Sequence, residues 1–423
     1  MKKRILLIAP LLSVVFMCRA QSSDPLTLSD CYKLVLQNYP LVKQRELISK
    51  TAIYTIENLQ KGYLPQLNIN GQASYQSAVT EIPIKVPGVN IPVLGKDQYK
   101  LYGEFDQLVY DGGAIKQQKQ LQKTNEAISQ QQLETDLYQL KERINQLFFG
   151  ILLLDAQLKQ NELTTKDIEL GYNKVSAQIK NGTAFRSNGD VLLAQLLQNK
   201  QQSINLIASR KAYADMLSLL VGKAVDETTY LVKPKQASPW RQINRPELRV
   251  YDEQGKNLDV QNKLLTVQTL PKLNLFLQGG VGRPGLNFLN SHFDAYYVGG
   301  IKLSWSPSVF YTLKKSRALI DLNRKNLEVK KETFLFNTHL TVKEQAGDIV
   351  KYERLLISDD EIIDLRTRVK TTALVQLENG VITTNDFLTN VNEENLARQN
   401  KILHEVQLLM TQYNQQTTTG NQQ

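Results

Sequence analysis

No proline occurs between Pro92 and Pro234, and none follows Pro307. Proline removes a backbone donor and clashes with the preceding turn, so intervals without it are open to uninterrupted helix. Both intervals are rich in Gln, Lys, Glu, Leu and Asn, and they predict very long helices. In the first, Leu133, Leu137, Leu140, Ile144, Leu147, Ile151, Leu154 and Leu158 are spaced alternately by four and three residues. That is the a/d spacing of a left-handed coiled coil. The seam weakens at Asn161 and Thr165, then resumes with Ile168, Tyr172, Val175 and Ile179. A helix over about 114–180 would be roughly 100 Å long, too long for a compact domain.

The chain also repeats itself. Residues 38–68 lie ungapped over 244–274, so that Asn38, Pro40, Leu64, Pro65, Leu67 and Asn68 meet Asn244, Pro246, Leu270, Pro271, Leu273 and Asn274. In "YLPQLNINGQASYQ" (63–76) the odd positions Leu67, Ile69, Gly71, Ala73 and Tyr75 are apolar or small, and the even positions from Gln66 to Gln76 are polar. Strand side chains alternate faces, so this segment predicts a strand with one oily face. "TLPKLNLFLQGGV" (269–281) is its echo. Second strands follow at 99–110 and at 295–305. "QIKNGTAFRSNGDVL" (178–192) then returns as "QLENGVITTNDFL" (376–388). Each half therefore reads helix, strand, strand, long helix, turn, shorter helix. The expected layout is a signal peptide at 1–20, a first repeat at 21–223, a linker at 224–243, a second repeat at 244–415 and a polar, disordered tail at 416–423.

Composition narrows the setting. Lys2, Lys3 and Arg4 precede an apolar run to Cys18, and Ala20 ends a cleavage site, the pattern of a secretory signal peptide. Met17 is too large to precede a lipidated Cys18. Without the leader's four basic residues, the formal charge of the 423-residue chain falls from +10 to +6. The excess is scattered, which argues against a nucleic-acid partner. Cys31 is then the one cysteine, so no intrachain disulfide forms. The longest mature apolar run, "LFFGILLL" at 147–154, is far short of the ~20 residues of a membrane-spanning helix.

Four strands of about ten residues, oily on one face, match outer-membrane barrel strands; a soluble sheet covering a core alternates in the same way. Tyr75, Tyr99, Tyr110, Tyr296 and Trp305 lie near strand ends, where interfacial girdles sit. The long helices offer no compact core, which favours lipid. Four strands cannot close, and an open edge in lipid leaves backbone groups unsatisfied. A barrel would therefore be shared: two chains give eight strands, three give twelve.

Taken together, "LTLSDCYKLVLQNYP", "YLPQLNINGQASY", "QLVYDGGAIKQQK" and the phrases around "NGT" and "NGV" resemble the TolC family of outer-membrane efflux proteins, over essentially the whole mature sequence. The resemblance implies a homotrimer whose four strands per chain complete a twelve-stranded β-barrel above a long α-helical coiled-coil periplasmic tunnel. It implies a passive duct for efflux or type I secretion, carrying drugs, metal ions, peptides or proteins. A periplasmic adaptor and an inner-membrane RND or ABC-type pump would be its partners.

The family's turn glycine with an aspartate six residues on maps onto Gly380 and Asp386. Gly182 matches in the first half, but Asp190 stands two residues late, and a second constriction aspartate is replaced by Thr389. The resemblance thus places a gate at Asn385, Asp386 and Thr389. It places adaptor-docking turns at Asn181, Gly182, Thr183 and at Asn379, Gly380, Val381. "TTNDFL" also reads as a helix N-cap phrase, a second role for Asp386. "GVGRPG" (280–285) fits a dinucleotide glycine pattern but opens no helix. His292, His339 and His404 show no metal-ligand spacing. No cofactor, nucleotide site or catalytic constellation is evident, and the expectation is a non-enzyme. The alternative is a periplasmic coiled-coil scaffold or adaptor with a soluble sheet.

Overall fold

A computed structural model describes residues 25–80, 88, 93–237 and 242–421. The expected signal peptide, Cys18 included, lies outside them. The elements run α1 (Leu28–Asn38), α2 (Gln44–Gln60), β1 (Gln66–Tyr75), β2 (Asp97–Tyr110), α3 (Ala114–Lys180), α4 (Arg186–Val221), α5 (Pro246–Val267), β3 (Lys272–Arg283), β4 (Asp294–Ser304), α6 (Val309–Glu378) and α7 (Thr384–Thr419). The repeat is exact in kind and close in length. α3 and α6 have 67 and 70 residues, and α4 and α7 have 36 each.

By internal contacts the chain forms two compact units, and both draw on each repeat. One comprises residues up to 35, 144–236 and 354–410; the other comprises 36–143, 237–353 and the remainder from 411. The first unit is all helix and loop. Its core includes Cys31, Phe148, Phe149, Ile151 and Leu217, all fully buried. Burial pushes the Cys31 thiol up to about 12, so it is an inert packing residue. The linker is a packed loop in this unit as far as Gln236: Leu231 forms a parallel bridge with Leu26. Arg210 anchors it from α4, pairing with Asp155 and donating to the Asp226 carbonyl at 3.2 Å.

The second unit holds the sheet, an antiparallel β1-β2-β3-β4 meander. It also corrects the expected tail. α7 continues to Thr419, and Gln412, Gln415, Gln416, Thr417, Thr419 and Asn421 are buried. Their polarity suggested disorder, but groups distant in sequence hydrogen-bond to the segment. The Thr419 carbonyl accepts from the Asn244 amide at 2.6 Å, the Thr417 carbonyl from the Tyr138 hydroxyl at 2.8 Å, and Gln412 Oε1 from the Ala237 amide at 3.1 Å. Hydrogen bonding, not apolar burial, holds the segment. Among the described residues no helix is long and apolar enough to cross a membrane.

Candidate functional site

Two regions carry the features singled out in the sequence. In the sheet, register decides which side chains share a face. Leu67, Phe105, Leu277 and Gly299 form one row across all four strands; Ile69, Gly103, Gly279 and Tyr297 form the next; Gly71, Leu101, Val281 and Ala295 the next. The opposite face carries Asn68, Glu104, Gln278 and Val298 in one row and Gln72, Lys100, Gly282 and Asp294 in another. The apolar rows are not a core. Leu67 is 69 % exposed, Ile69 77 %, Ile301 68 % and Tyr297 80 %. Among the described residues nothing covers them, and both edge strands, β1 and β4, have one side unpaired. Close backbone approach fixes Gly280, where a Cβ would fall 2.2 Å from the Leu101 carbonyl oxygen. The glycine-rich stretch at 280–285 ends a strand and is followed by a loop, so the dinucleotide reading has no helix to rest on.

The helical turns lie in the first unit. Both helices before them end alike. Gly182 and Gly380 have φ of +74° and +71°, the left-handed conformation glycine adopts without penalty. Thr183 N–H donates to the Gln178 carbonyl at 2.9 Å and Val381 N–H to that of Gln376 at 2.8 Å. These are paired Schellman closures. The helices after them start differently. α7 opens with a capping box: the Thr383 amide and hydroxyl donate to Asp386 Oδ2 at 3.0 and 2.7 Å, and the Asp386 amide donates to Thr383 Oγ1 at 3.2 Å. Thr383 is thus the cap and Asp386 its partner in the first turn, a refinement of the N-cap reading. These hydrogen bonds, the hydroxyl's first, hold the Asp386 carboxyl below its ordinary value. α1 uses the same device, Thr27 with Asp30. α4 has Phe185 at its cap position and no side-chain cap.

Asn385, Asp386 and Thr389 occupy the first two turns of α7 and are exposed; Thr389 donates back to the Asn385 carbonyl at 2.9 Å. Asn181, Gly182, Thr183, Asn379, Gly380 and Val381 are exposed as well. The two hairpins are tied together. Gln178 Nε2 donates to the carbonyls of Leu377 and Glu378 at 3.1 and 3.0 Å, and Lys174 pairs with Glu378. Behind the turns, Ile168, Val175, Leu192, Leu377, Phe387 and Val391 share one buried cluster. The Phe387 ring lies on Gly171, where a Cβ would come within 2.5 Å of it.

Where the leucine seam weakens, the structure substitutes buried polar groups. Asn161 donates to the Asn199 carbonyl at 2.9 Å, and Thr164 donates to Asn395 Oδ1 at 2.7 Å. Beside them Glu394, 2 % exposed, pairs with Arg398 and Lys370, and Lys370 reaches Asp167 at 2.6 Å. The sequence reading missed this cluster. The signal was present: Phe387, Val391, Glu394, Arg398, Lys401, Glu405 and Leu408 keep the alternating four-three spacing, with charges in core positions. It missed the pair of His404 with Asp359 at 2.7 Å too. Among the described residues no group of three or more His, Cys, Asp or Glu could hold a metal ion.

No protein-family model and no curated protein matches the chain by sequence. Solved structures match it by shape. A membrane protein from Pseudomonas aeruginosa superposes with a TM-score of 0.68 at 13 % identity, over 93 % of this chain and 90 % of its own. The outer membrane protein VceC of Vibrio cholerae gives 0.66 at 11 %, over 93 % and 96 %. The MtrE outer membrane channel of Neisseria gonorrhoeae gives 0.64 at 13 %, over 93 % and 89 %. The chain has the fold of TolC-family outer-membrane channels, the fold its sequence resemblance implied.

Proposed function

We propose that the protein is a passive outer-membrane exit duct of a tripartite efflux or type I secretion system. Three copies would complete a twelve-stranded barrel in the outer membrane, and their helices would wall a periplasmic tunnel. The turns would dock on a periplasmic adaptor that links the duct to an inner-membrane pump.

The uncovered oily face of the sheet carries this reading. Ten residue steps of β3, from Leu273 to Arg283, span about 33 Å along the strand, or about 25 Å across the membrane at the ~40° tilt of such barrels. In lipid the free edges of β1 and β4 would cost several kcal/mol per unpaired group, so they must meet edges of other copies. A second feature supports self-association. Leu322, Val329, Phe336, Val350 and Ile357 on α6 are exposed and spaced by sevens or a multiple of seven. That period suits a coiled-coil seam against another helix.

The test is the oligomeric mass of detergent-extracted protein together with its conductance in a planar bilayer. A trimer with small, mostly closed conductance is expected. A detergent-independent monomer or dimer without conductance would leave the scaffold reading.

Within the duct, Asp386 would serve both as capping partner and as one ring of the gate. Asp386→Ala removes cap and charge together, whereas Thr383→Ala removes the cap alone. Raised ion leakage in the first variant and not in the second is the expected outcome. Equal leakage in both would reduce Asp386 to a cap.

A further inference from the structure

The loop between β3 and β4 sorts its side chains. Its asparagines brace its own turns. Asn287 Oδ1 accepts from the Leu289 amide at 3.0 Å, Asn290 Oδ1 accepts from the His292 amide at 3.1 Å, and the Asn290 side-chain amide donates to Asp294. Pro284 and Gly285 are buried, and a Cβ on Gly285 would meet Asp294 at 2.9 Å. The large apolar groups point outward instead: Leu286, Phe288, Leu289 and Phe293 are 55–65 % exposed. An ordered loop, braced by its own asparagines, that shows four large apolar side chains is built to meet something apolar.

Phe293 indicates what that is. It stands one residue before Asp294 and so shares the odd-numbered face of β4 with Ala295 and Tyr297. Its ring centroid lies 6.2 Å from that of Tyr99, which occupies the same face of β2. Asp294, the hydrogen-bond partner of Asn290, pairs with Gly282 on the even, polar face. The two-sidedness of the sheet therefore continues past its strand ends into the loop. The loop also leaves the sheet at the ends opposite those joined to the helices.

We propose that this loop is a lipid-binding foot. Its apolar side chains enter the outer leaflet at the boundary between headgroups and acyl chains, where amphipathic surface segments settle. The inference rests on the oily sheet face being lipid-facing, and the experiment separates the two.

In full-length protein with Trp240 and Trp305 replaced by phenylalanine, single reporters are introduced as Phe288→Trp or Ile301→Trp, and Leu289→Trp serves as a second loop reporter. Trimers of confirmed mass are reconstituted into phosphatidylcholine vesicles with or without brominated acyl chains. The expected result is that bromine removes about half of the emission at both the loop and Ile301→Trp, with weak quenching by acrylamide. Quenching by bromine at Ile301→Trp alone overturns the foot and leaves the barrel standing. In that case strong acrylamide quenching at Phe288→Trp and Leu289→Trp would place the loop in water, and shielding from both quenchers would place it against another copy. No bromine quenching at Ile301→Trp would overturn the lipid-facing reading itself.

Discussion

Around the helical turns, Ile168, Leu192, Phe387 and Val391 are at most 1 % exposed, while in the sheet Ile69 and Tyr297 are 77 and 80 % exposed. The same chain hides its apolar side chains in one region and displays them in the other. The difference follows from what each region can reach. Four helices of one unit converge on a common seam, so heptad positions find partners within the chain. Among the described residues the sheet has four strands and no layer to lie on, and in the proposed duct its oily face meets lipid. One region packs on itself; the other, on the proposed reading, is finished by its surroundings.

The contrast can be broken most forcefully in the helices. Phe387→Ala empties the centre of a buried cluster and should cost about 3–5 kcal/mol, the range for a large core truncation. Thermal unfolding followed by ellipticity would register it as a marked fall in midpoint. A smaller effect is expected at the cap. Thr383→Ala should lower stability by about 1 kcal/mol, while Phe185→Ala, at the equivalent cap position of the uncapped hairpin, should change less.

That capping effect should also depend on pH. The Asp386 carboxyl is depressed in the folded chain from an ordinary 3.8. Its contribution is therefore complete above that value and lost as pH falls through the lower folded one. The penalty of Thr383→Ala measured by denaturant titration should be full at neutral pH and shrink in acid. A penalty unchanged at pH 3 would contradict the capping role of the charge.

The smallest effect on chain stability is expected in the sheet. Ile69→Asn and Ile301→Asn together should change helical unfolding by no more than about 0.5 kcal/mol each, as for exposed positions generally. They should nonetheless abolish flotation with outer-membrane vesicles. Retained flotation would mean that the oily face is not what holds the protein in lipid.

The two repeats show a second asymmetry. In the first, Asp111 caps the long helix α3, its carboxylate accepting from the Gly113 and Ile115 amides at 2.7 Å each. In the second, the long helix has no such cap, and the box at Thr383 and Asp386 fixes the shorter one instead. Duplicated chains have settled the same helix ends with different residues.

The element order, the strand faces and the Schellman turns could be read directly from the residues, because periods of 2 and 3.5 and glycine at a helix end are local properties. Proline placement alone marked out both long helices. Three things only the tertiary structure decided. The Gln-rich C-terminal segment is ordered because Asn244, Tyr138 and Ala237, distant in sequence, supply its hydrogen-bond partners. Glu394 is buried because Lys370 and Arg398 neutralise it across two helices, a compensation that no single segment displays. The oily sheet face is bare because no other part of the described chain lies against it. Periodicity reports which side chains share a face, whereas what that face meets depends on residues, or surroundings, far from it along the chain.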